Sequence, residues 1–327
     1  MRQLSSHSIK LAFLVVLAEA IALVPAKSSA DHISTGIIAM FPKEMAEFVY
    51  TDLKSARQYP WFTEFREQVV PPHFQEFEQL LSFAGIDAQR GVDELAWGEL
   101  RTSAKAGHEV IGIGIGAFDP TFSEERLKQQ GLHITNYKDF HFYSSGRGDI
   151  LFTFLDTSMA AFGHRLALEK LVDLRMGLGE TLLANDTLFA LIREANGAGI
   201  IWAVFDRSYA HRAIGQLIPQ AAAFPQAAAI INRMKALTIS VDADSGLDAR
   251  FQAVCDSVDD ANLFGAALEA AVMYRRYREE QTPNDLMQDV LENIRVTPSG
   301  DRLTVEGSVS QDELGALIKG SVLAAPM

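Results

Sequence analysis

The sequence predicts an α+β protein made of two similar antiparallel sheet-plus-helix units, with helices packed on one face of each sheet. Three observations lead there. Apolar residues recur with period two in paired runs separated by short polar turns, which is the pattern of hairpins. Amphipathic runs of helical period lie between the pairs. The order of elements also repeats: strand, helices, strand, strand, helix, strand, strand, helix, over about 46–195 and again over about 199–320. The repeat is one of elements and not of residue identity, and it suggests an internal duplication. The chain then divides into a leader (1–30), a first unit (31–197) and a second unit (198–327).

Taken in order, MAEFVYTDL has strand character from Phe48 to Leu53. Residues 61–84 read as helix, with Phe62, Phe65, Val69, Phe74, Phe77, Leu80 and Leu81 at spacings of three and four and Pro71-Pro72 breaking the run. VDELAWGEL and HEVIGIGIGAF form a first hairpin, and Thr121-x-x-Glu124 reads as a capping box opening a short helix. DFHFYSS and DILFTFLD form a second hairpin, turned at SGRGD. Helices follow over about His164–Arg175 and Thr187–Ala195, the latter closed by Asn196-Gly197, both of which tolerate the left-handed conformation. In the second half GIIWAVFD is a strand and Tyr209–Met234 is helical with interruptions at Pro219 and Pro225. ALTISVDAD and LDARFQAVC form a hairpin turned at Ser245-Gly246. Asp259–Glu280 is a long helix with Ser257 as N-cap and Asp260 at N3, and Thr282-Pro283 opens another. NIRVTP and RLTVEGSV pair about Pro298–Asp301, and Ser310-x-x-Glu313 caps a last helix ending at Gly320.

The first 30 residues have the three-part layout of a secretory signal. Arg2 and Lys10 give a weakly positive start, Leu11–Ala18 and Ala20–Val24 are apolar, Pro25 ends the helix, and Ser28-Ser29-Ala30 supplies small residues for cleavage after Ala30. The apolar run falls short of the roughly 20 residues that span a bilayer, and Glu19 interrupts it. A cleaved signal is therefore expected, with an uncleaved inner-membrane anchor and a buried helix of a cytosolic protein as the alternatives. The leader carries Arg2, Lys10, Lys27 and Glu19, a net +2, so the whole-chain charge of −13 becomes −15 once it is removed. A surface so acidic is poorly matched to nucleic acid, which demands clustered positive charge. Membrane association is expected only if the leader is retained. Cys255 is the one cysteine, so no internal disulfide can form; it lies in the strand-like FQAVCDS and reads as a small buried hydrophobe.

The motifs that carry chemistry do not survive inspection. IGIGIGA (111–117) contains G-x-G-x-x-A, but glycine alternates with isoleucine at strand period and Asp119-Pro120 intervenes before any helix. It reads as a glycine-faced strand on which another element packs closely. VDADSGLDA offers Asp242, Asp244 and Asp248, yet the sixth position of a calcium loop would be Leu247 and the twelfth Ala253. Arg147-Gly148-Asp149 spells an adhesion tripeptide, and glycine there suits a hairpin loop. The histidines at 7, 32, 73, 108, 133, 141, 164 and 211 show no metal-ligand spacing, although His133 and His141 could meet across paired strands. YRRYRE (274–279) interleaves aromatics with arginines but sits late in a helix, where basic residues suit the dipole. No cofactor or metal ligand set emerges. For acid–base chemistry the best candidates are His164, at a helix start, and Asp156, one strand away.

AFGHRLALEKLVDLR, LLANDTLFALI, IIWAVFD and ENIRVTPSGDRLTVEGSVSQDEL together resemble a group of uncharacterised exported bacterial proteins, seen chiefly in soil bacteria. The resemblance covers most of the chain beyond the leader and rests on structural motifs, so it implies no catalytic residues. The expectation is an exported, non-enzymatic protein of the cell envelope, periplasmic or extracellular, that binds a ligand or protein partner, with the junction of the duplicated units as the expected footprint. An extracytoplasmic enzyme whose site is assembled from distant residues is the first alternative. A membrane-tethered assembly factor is the second.

Overall fold

A computed structural model describes residues 32–59, 62–63, 72–101, 109–146, 148–210, 231–243, 246–281 and 292–310. The leader, Arg147, the helices expected around 211–230, 282–291 and beyond 310, and the Ser245 turn lie outside them, as do His7, His108 and His211. The chain is α+β and forms two compact units, one from residues 32–58 with 72–196 and the other built on residues 197–310.

The first unit holds strands β1 (Glu47–Asp52), β2 (Val92–Leu100), β3 (Glu109–Gly116), β4 (His133–Tyr137), β5 (Phe140–Ser144), β6 (Leu151–Phe154) and β7 (Met159–Gly163). Their order is β1-β2-β3-β7-β6-β5-β4, with every pair antiparallel. The helices are α1 (Thr35–Ile38), α2 (Leu53–Ala56), α3 (Pro72–Phe83), α4 (Ala88–Gly91), α5 (Pro120–Gln129), α6 (Arg165–Arg175) and α7 (Asp186–Ala195), with a 3₁₀ turn at Leu182–Ala184. The second unit holds β8 (Ile201–Asp206), β9 (Met234–Asp242), β10 (Gly246–Cys255), α8 (Val258–Gln281), β11 (Arg295–Ser299) and β12 (Arg302–Ser310), with strand order β8-β9-β10-β12-β11, again antiparallel.

Local chemistry explains the helix starts. Ser34, Asp52, Asp87, Asp119, Asn185 and Ser257 each accept a backbone N–H of the helix they precede, satisfying donors that the helix leaves unpaired. At α8 the bond is reciprocal in kind: Ser257 Oγ accepts from the Asp260 N–H and donates to the Asp260 carboxylate. At α5 the expected cap at Thr121 is corrected. Asp119 is the N-cap, accepting from the Phe122 N–H at 3.1 Å, and Pro120 takes the first helical position, where its missing N–H costs nothing. After α7, Gly197 adopts the left-handed φ of 85° while Asn196 stays extended. Asn196 does another job there: its amide accepts from the Ile33 N–H and donates to the Ile33 carbonyl, tying down the segment that leads into β1. Met234 begins β9 rather than ending a helix.

In the second unit Met234, Leu237, Ala253, Cys255 and Leu303 pack with Ala261, Phe264 and Leu268 of α8, and consecutive residues of β8 (Trp202, Ala203 and Val204) and β9 (Ala236 and Leu237, Ser240 and Val241) are buried, so these strands are covered on both faces. In the first unit consecutive residues of β1, β6 and β7 are buried in the same way, and the expectation of cover on one face of each sheet is corrected. One of these faces explains the Ile/Gly alternation of β3. A Cβ on Gly112 would collide with the Phe162 ring, and one on Gly114 would press Val92 and Phe77. Phe162 stacks on Phe77 of α3 at 4.2 Å between centroids, and Phe77 also packs edge-on to Phe152. Glycine lets aromatic rings lie directly on the strand backbone.

Candidate functional site

A cluster of titratable groups gathers where β7 ends and α6 begins. Gly163 has φ 155°, and the space a Cβ would need is taken by the Val110 carbonyl and Ile111 Cα. Only glycine lets β7 finish this close to β3 and turn into α6. His164 follows as the α6 N-cap, and its side chain makes no capping bond. It turns to β3 instead. The His164 N–H donates to the Val110 carbonyl at 3.0 Å, and Nδ1 accepts from the Val110 N–H at 2.8 Å. An Nδ1 that accepts must carry its lone pair, so the neutral ring holds its proton on Nε2.

Two carboxylates join this imidazole. Glu109 Oε2 lies 3.9 Å from Nδ1, with the two side chains 19% and 27% exposed. Glu76, on α3, feels the charges of both His164 and Asp149 and accepts from the Ile150 N–H. Its carboxyl rests against Gly148, where any side chain would collide with it. Burial is the largest influence on Glu76 and pushes its pKa above the usual carboxylate range. One oxygen of Glu76 and one of Glu109 are buried without a hydrogen-bond partner. The arrangement offers one imidazole N–H and two unsatisfied carboxyl oxygens: it can hold a proton, or accept bonds from a donor group brought to it.

Asp156 has a different setting. Its carboxylate accepts from the N–H and hydroxyl of Ser158 at 2.8 and 2.7 Å, in the turn between β6 and β7, and from Arg175 at 2.9 Å. Burial opposes ionisation there, but Ser158 and Arg175 outweigh it and hold the pKa below the usual value. His164 and Asp156 share no hydrogen bond; each is committed to its own structural partners. Glu76 and Glu109, which the sequence reading did not single out, are the carboxylates that accompany His164. The available signal was slight: a glutamate opening the apolar run of β3, and another beside Phe77 on α3.

The remaining motifs resolve structurally. His133 and His141 do not face each other, since His133 pairs with Ser144 and His141 with Asn136. Asp242 and Asp248 stand opposite across the β9–β10 pair, and Asp244 lies outside the described residues. Arg276 turns inward, donating to the carbonyls of Glu292 and Ile294. Cys255 is buried, and burial pushes its thiol up to about 11, which leaves little thiolate. In the second unit an ion-pair network fastens the start of α8 to the strand ends, through Arg207–Asp256 and Arg233–Asp260, both at 2.5 Å. Among the described residues, no three histidine, cysteine or acidic side chains converge as a metal site, and no helix is long and apolar enough to cross a membrane.

No family model matches the chain, and no curated protein matches it. Among solved structures it is similar to crystal form I of TP0453, with a TM-score of 0.52 and 12% identity over 88% of this chain and 98% of that one. Crystal form III of the same protein aligns with a TM-score of 0.49 and 12% identity over 90% and 100% of the two chains. At this identity the likeness to form I is one of fold.

Proposed function

We propose that the chain is an exported, non-catalytic protein of the bacterial cell envelope that works by binding a protein partner. The observation that carries this reading is the outward face of α8. Leu263, Met273, Tyr274 and Tyr277 are 53%, 65%, 61% and 58% exposed, and Ala266, Ala267, Ala270 and Ala271 are exposed beside them. Concentrated apolar exposure of this kind on a folded protein marks an interaction surface. The groups that would serve nucleophilic or acid–base chemistry are otherwise occupied: His164 Nδ1 with Val110, Asp156 with Ser158 and Arg175, and the Cys255 thiol by burial.

The reading includes an internal duplication, which connectivity supports. β1-β2-β3 and β8-β9-β10 are both antiparallel meanders, and a helix (α5 or α8) follows the third strand of each. In each, the last strand (β7 or β12) pairs with that third strand, and the strand before it (β6 or β11) lies outside. On this view β4–β5 is an insertion peculiar to the first unit.

The test is a photo-crosslinking amino acid at position 267, with the protein expressed from its own leader and cells fractionated. The reading expects a species starting at Asp31 in the envelope fraction and a discrete adduct of defined mass. No adduct, or a protein confined to the cytoplasm, overturns it. A full-length species in the membrane fraction favours the tethered assembly factor. One observation favours an extracytoplasmic enzyme as the second reading: the unsatisfied oxygens of Glu76 and Glu109 around His164. A carboxyl with raised pKa beside an imidazole is the raw material of a general acid.

A further inference from the structure

His164 closes one more rung of the sheet ladder after β7 has ended. The last backbone pair between β3 and β7 is Ile111 with Gly163. Beyond it the chain turns into α6, yet Val110 still finds both partners on that side. Its carbonyl accepts from the His164 N–H at 3.0 Å, and its N–H donates to His164 Nδ1 at 2.8 Å. The imidazole nitrogen stands where a neighbouring strand would place a carbonyl oxygen. Such an acceptor lasts only while the ring is neutral, because protonation puts a hydrogen on Nδ1 and sets donor against donor. The structure also holds the acceptor that the new donor needs. Glu109 Oε2 lies 3.9 Å from Nδ1, beyond hydrogen-bond distance, and that oxygen is buried without a hydrogen-bond partner.

We propose that His164 is a proton-operated switch at the junction of β3 and α6: neutral, its Nδ1 holds the Val110 amide; protonated, it releases that amide and donates to Glu109. Each arrangement leaves one buried group unpaired, the Glu109 oxygen in the first and the Val110 N–H in the second. Hydrogen bonding alone therefore separates the two states by little, and the proton decides between them. Among the described residues, the charged groups facing the ring from other elements are acidic. Glu109 faces it from β3, and Glu76 from α3 with Asp149 of the β5–β6 turn beside it. On α6 itself, Arg165 is drawn away to Thr135 Oγ1 at 2.7 Å and to Glu169. β6 and β7, which also pack on α6, bring no charged side chain. The positive end of the α6 dipole and partial burial oppose a cation there. Release leaves the start of β3 paired to β2, through Glu109 with Leu100 and Val110 with Glu99, but removes its amide anchor on α6. The charged ring meanwhile draws Glu109 of β3 and Glu76 of α3 towards one point. The switch lies in the first unit and does not depend on how α8 is read.

The test uses the full protein with isotopically labelled valine and histidine, and follows the scalar coupling across the Val110 N–H···Nδ1 bond from about pH 8 to about pH 5, where histidines change charge. The expected result is a coupling present at the upper end and lost at the lower. Protection of the Val110 amide against hydrogen exchange should fall with it, roughly fivefold. Glu109→Gln should need about tenfold more protons for the same loss, since the cation then has no carboxylate to donate to. His164→Asn places an amide oxygen where Nδ1 stood and cannot titrate, so Val110 should stay protected across the range. A coupling that persists at the lower end overturns the proposal, and this titration of the wild type needs no variant to fold. A loss of protection that is the same in His164→Asn also overturns it, because the proton then acts elsewhere. So does an unchanged titration in Glu109→Gln, because Glu109 is then not the acceptor.

Discussion

Gly112→Ala adds one methyl group to the centre of β3, and the structure fixes what it meets. The new carbon would stand inside the contact distance of the Phe162 ring and 3.0 Å from Trp97 Cβ. Phe162 is 1% exposed and stacked on Phe77, which is fully buried and packs in turn against Phe152, so the ring has nowhere to retreat without moving two others. Overpacking of a filled core costs about 1–3 kcal/mol. Gly114→Ala is the internal control: its methyl group would stand 3.3 Å from Val92 Cγ1 and 3.4 Å from Phe77 Cε1, which a shift of a few tenths of an ångström relieves. The lower backbone entropy of alanine in the unfolded chain offsets about 0.4–1 kcal/mol in both variants. Because that offset is common to both, thermal unfolding followed by tryptophan fluorescence should place Gly112→Ala roughly 2–12 °C below Gly114→Ala. In the Gly112→Ala background, Phe162→Leu should cost less than it does alone, because the residue that clashes has gone. Equal stability of Gly112→Ala and Gly114→Ala, or strict additivity with Phe162→Leu, would refute the account of β3 as a strand kept bare for an aromatic ring.

Glu76 has a folded pKa above its unfolded value, so it contributes stability that is fully present below about pH 4, near the unfolded glutamate value, and lost as pH rises through the folded value. Glu76→Gln should match wild type in denaturation midpoint near pH 4 and exceed it at pH 7; a constant difference across that range would show that the buried charge is not what matters. Asp156 behaves oppositely: its lowered pKa contributes stability above about pH 4 that is lost as pH falls further, and Asp156→Asn should flatten that acid limb of the stability curve. Asn196→Ala removes both bonds to Ile33 and should cost about 1–3 kcal/mol, with hydrogen exchange at Ile33 speeding before the rest of the first unit; unchanged exchange there would show that the segment is held by other contacts. Cys255 should resist thiol reagents at pH 8 in the native protein and react on unfolding, as a buried thiol with a raised pKa must.

Much of the architecture was legible because its signals are local. The alternation of VIGIGIG, the runs flanking Gly300 and the stripe of Phe74, Phe77, Leu80 and Leu81 each declare period and face within a few residues. What escaped depends on neighbours. β4 reads His-Ile-Thr-Asn-Tyr and is mostly exposed, so nothing apolar marks it as a strand. β7 reads Met-Ala-Ala-Phe-Gly and is strand because β3 and β6 flank it. Coverage of both sheet faces escaped for the same reason, since short buried strands carry no period. At Asp119-Pro120-Thr121 two capping signals overlap, and proline decides by fixing the first helical residue two places earlier. His164 was visible as a residue, but its partners are a backbone amide of β3 and carboxylates from α3 and β3, which no spacing in the chain announces.

The two outermost strands set different terms for unwanted assembly. β11 ends the sheet of the second unit, and Pro298 sits within it, removing one backbone donor from that edge. β4 ends the sheet of the first unit with no proline, its side chains almost all exposed and Ile134 among them. A sheet edge without proline or charge is a template on which another extended segment can continue the ladder. Crowded or partly unfolded protein would therefore grow from the β4 edge, and a lysine at Ile134 would blunt it without touching the core.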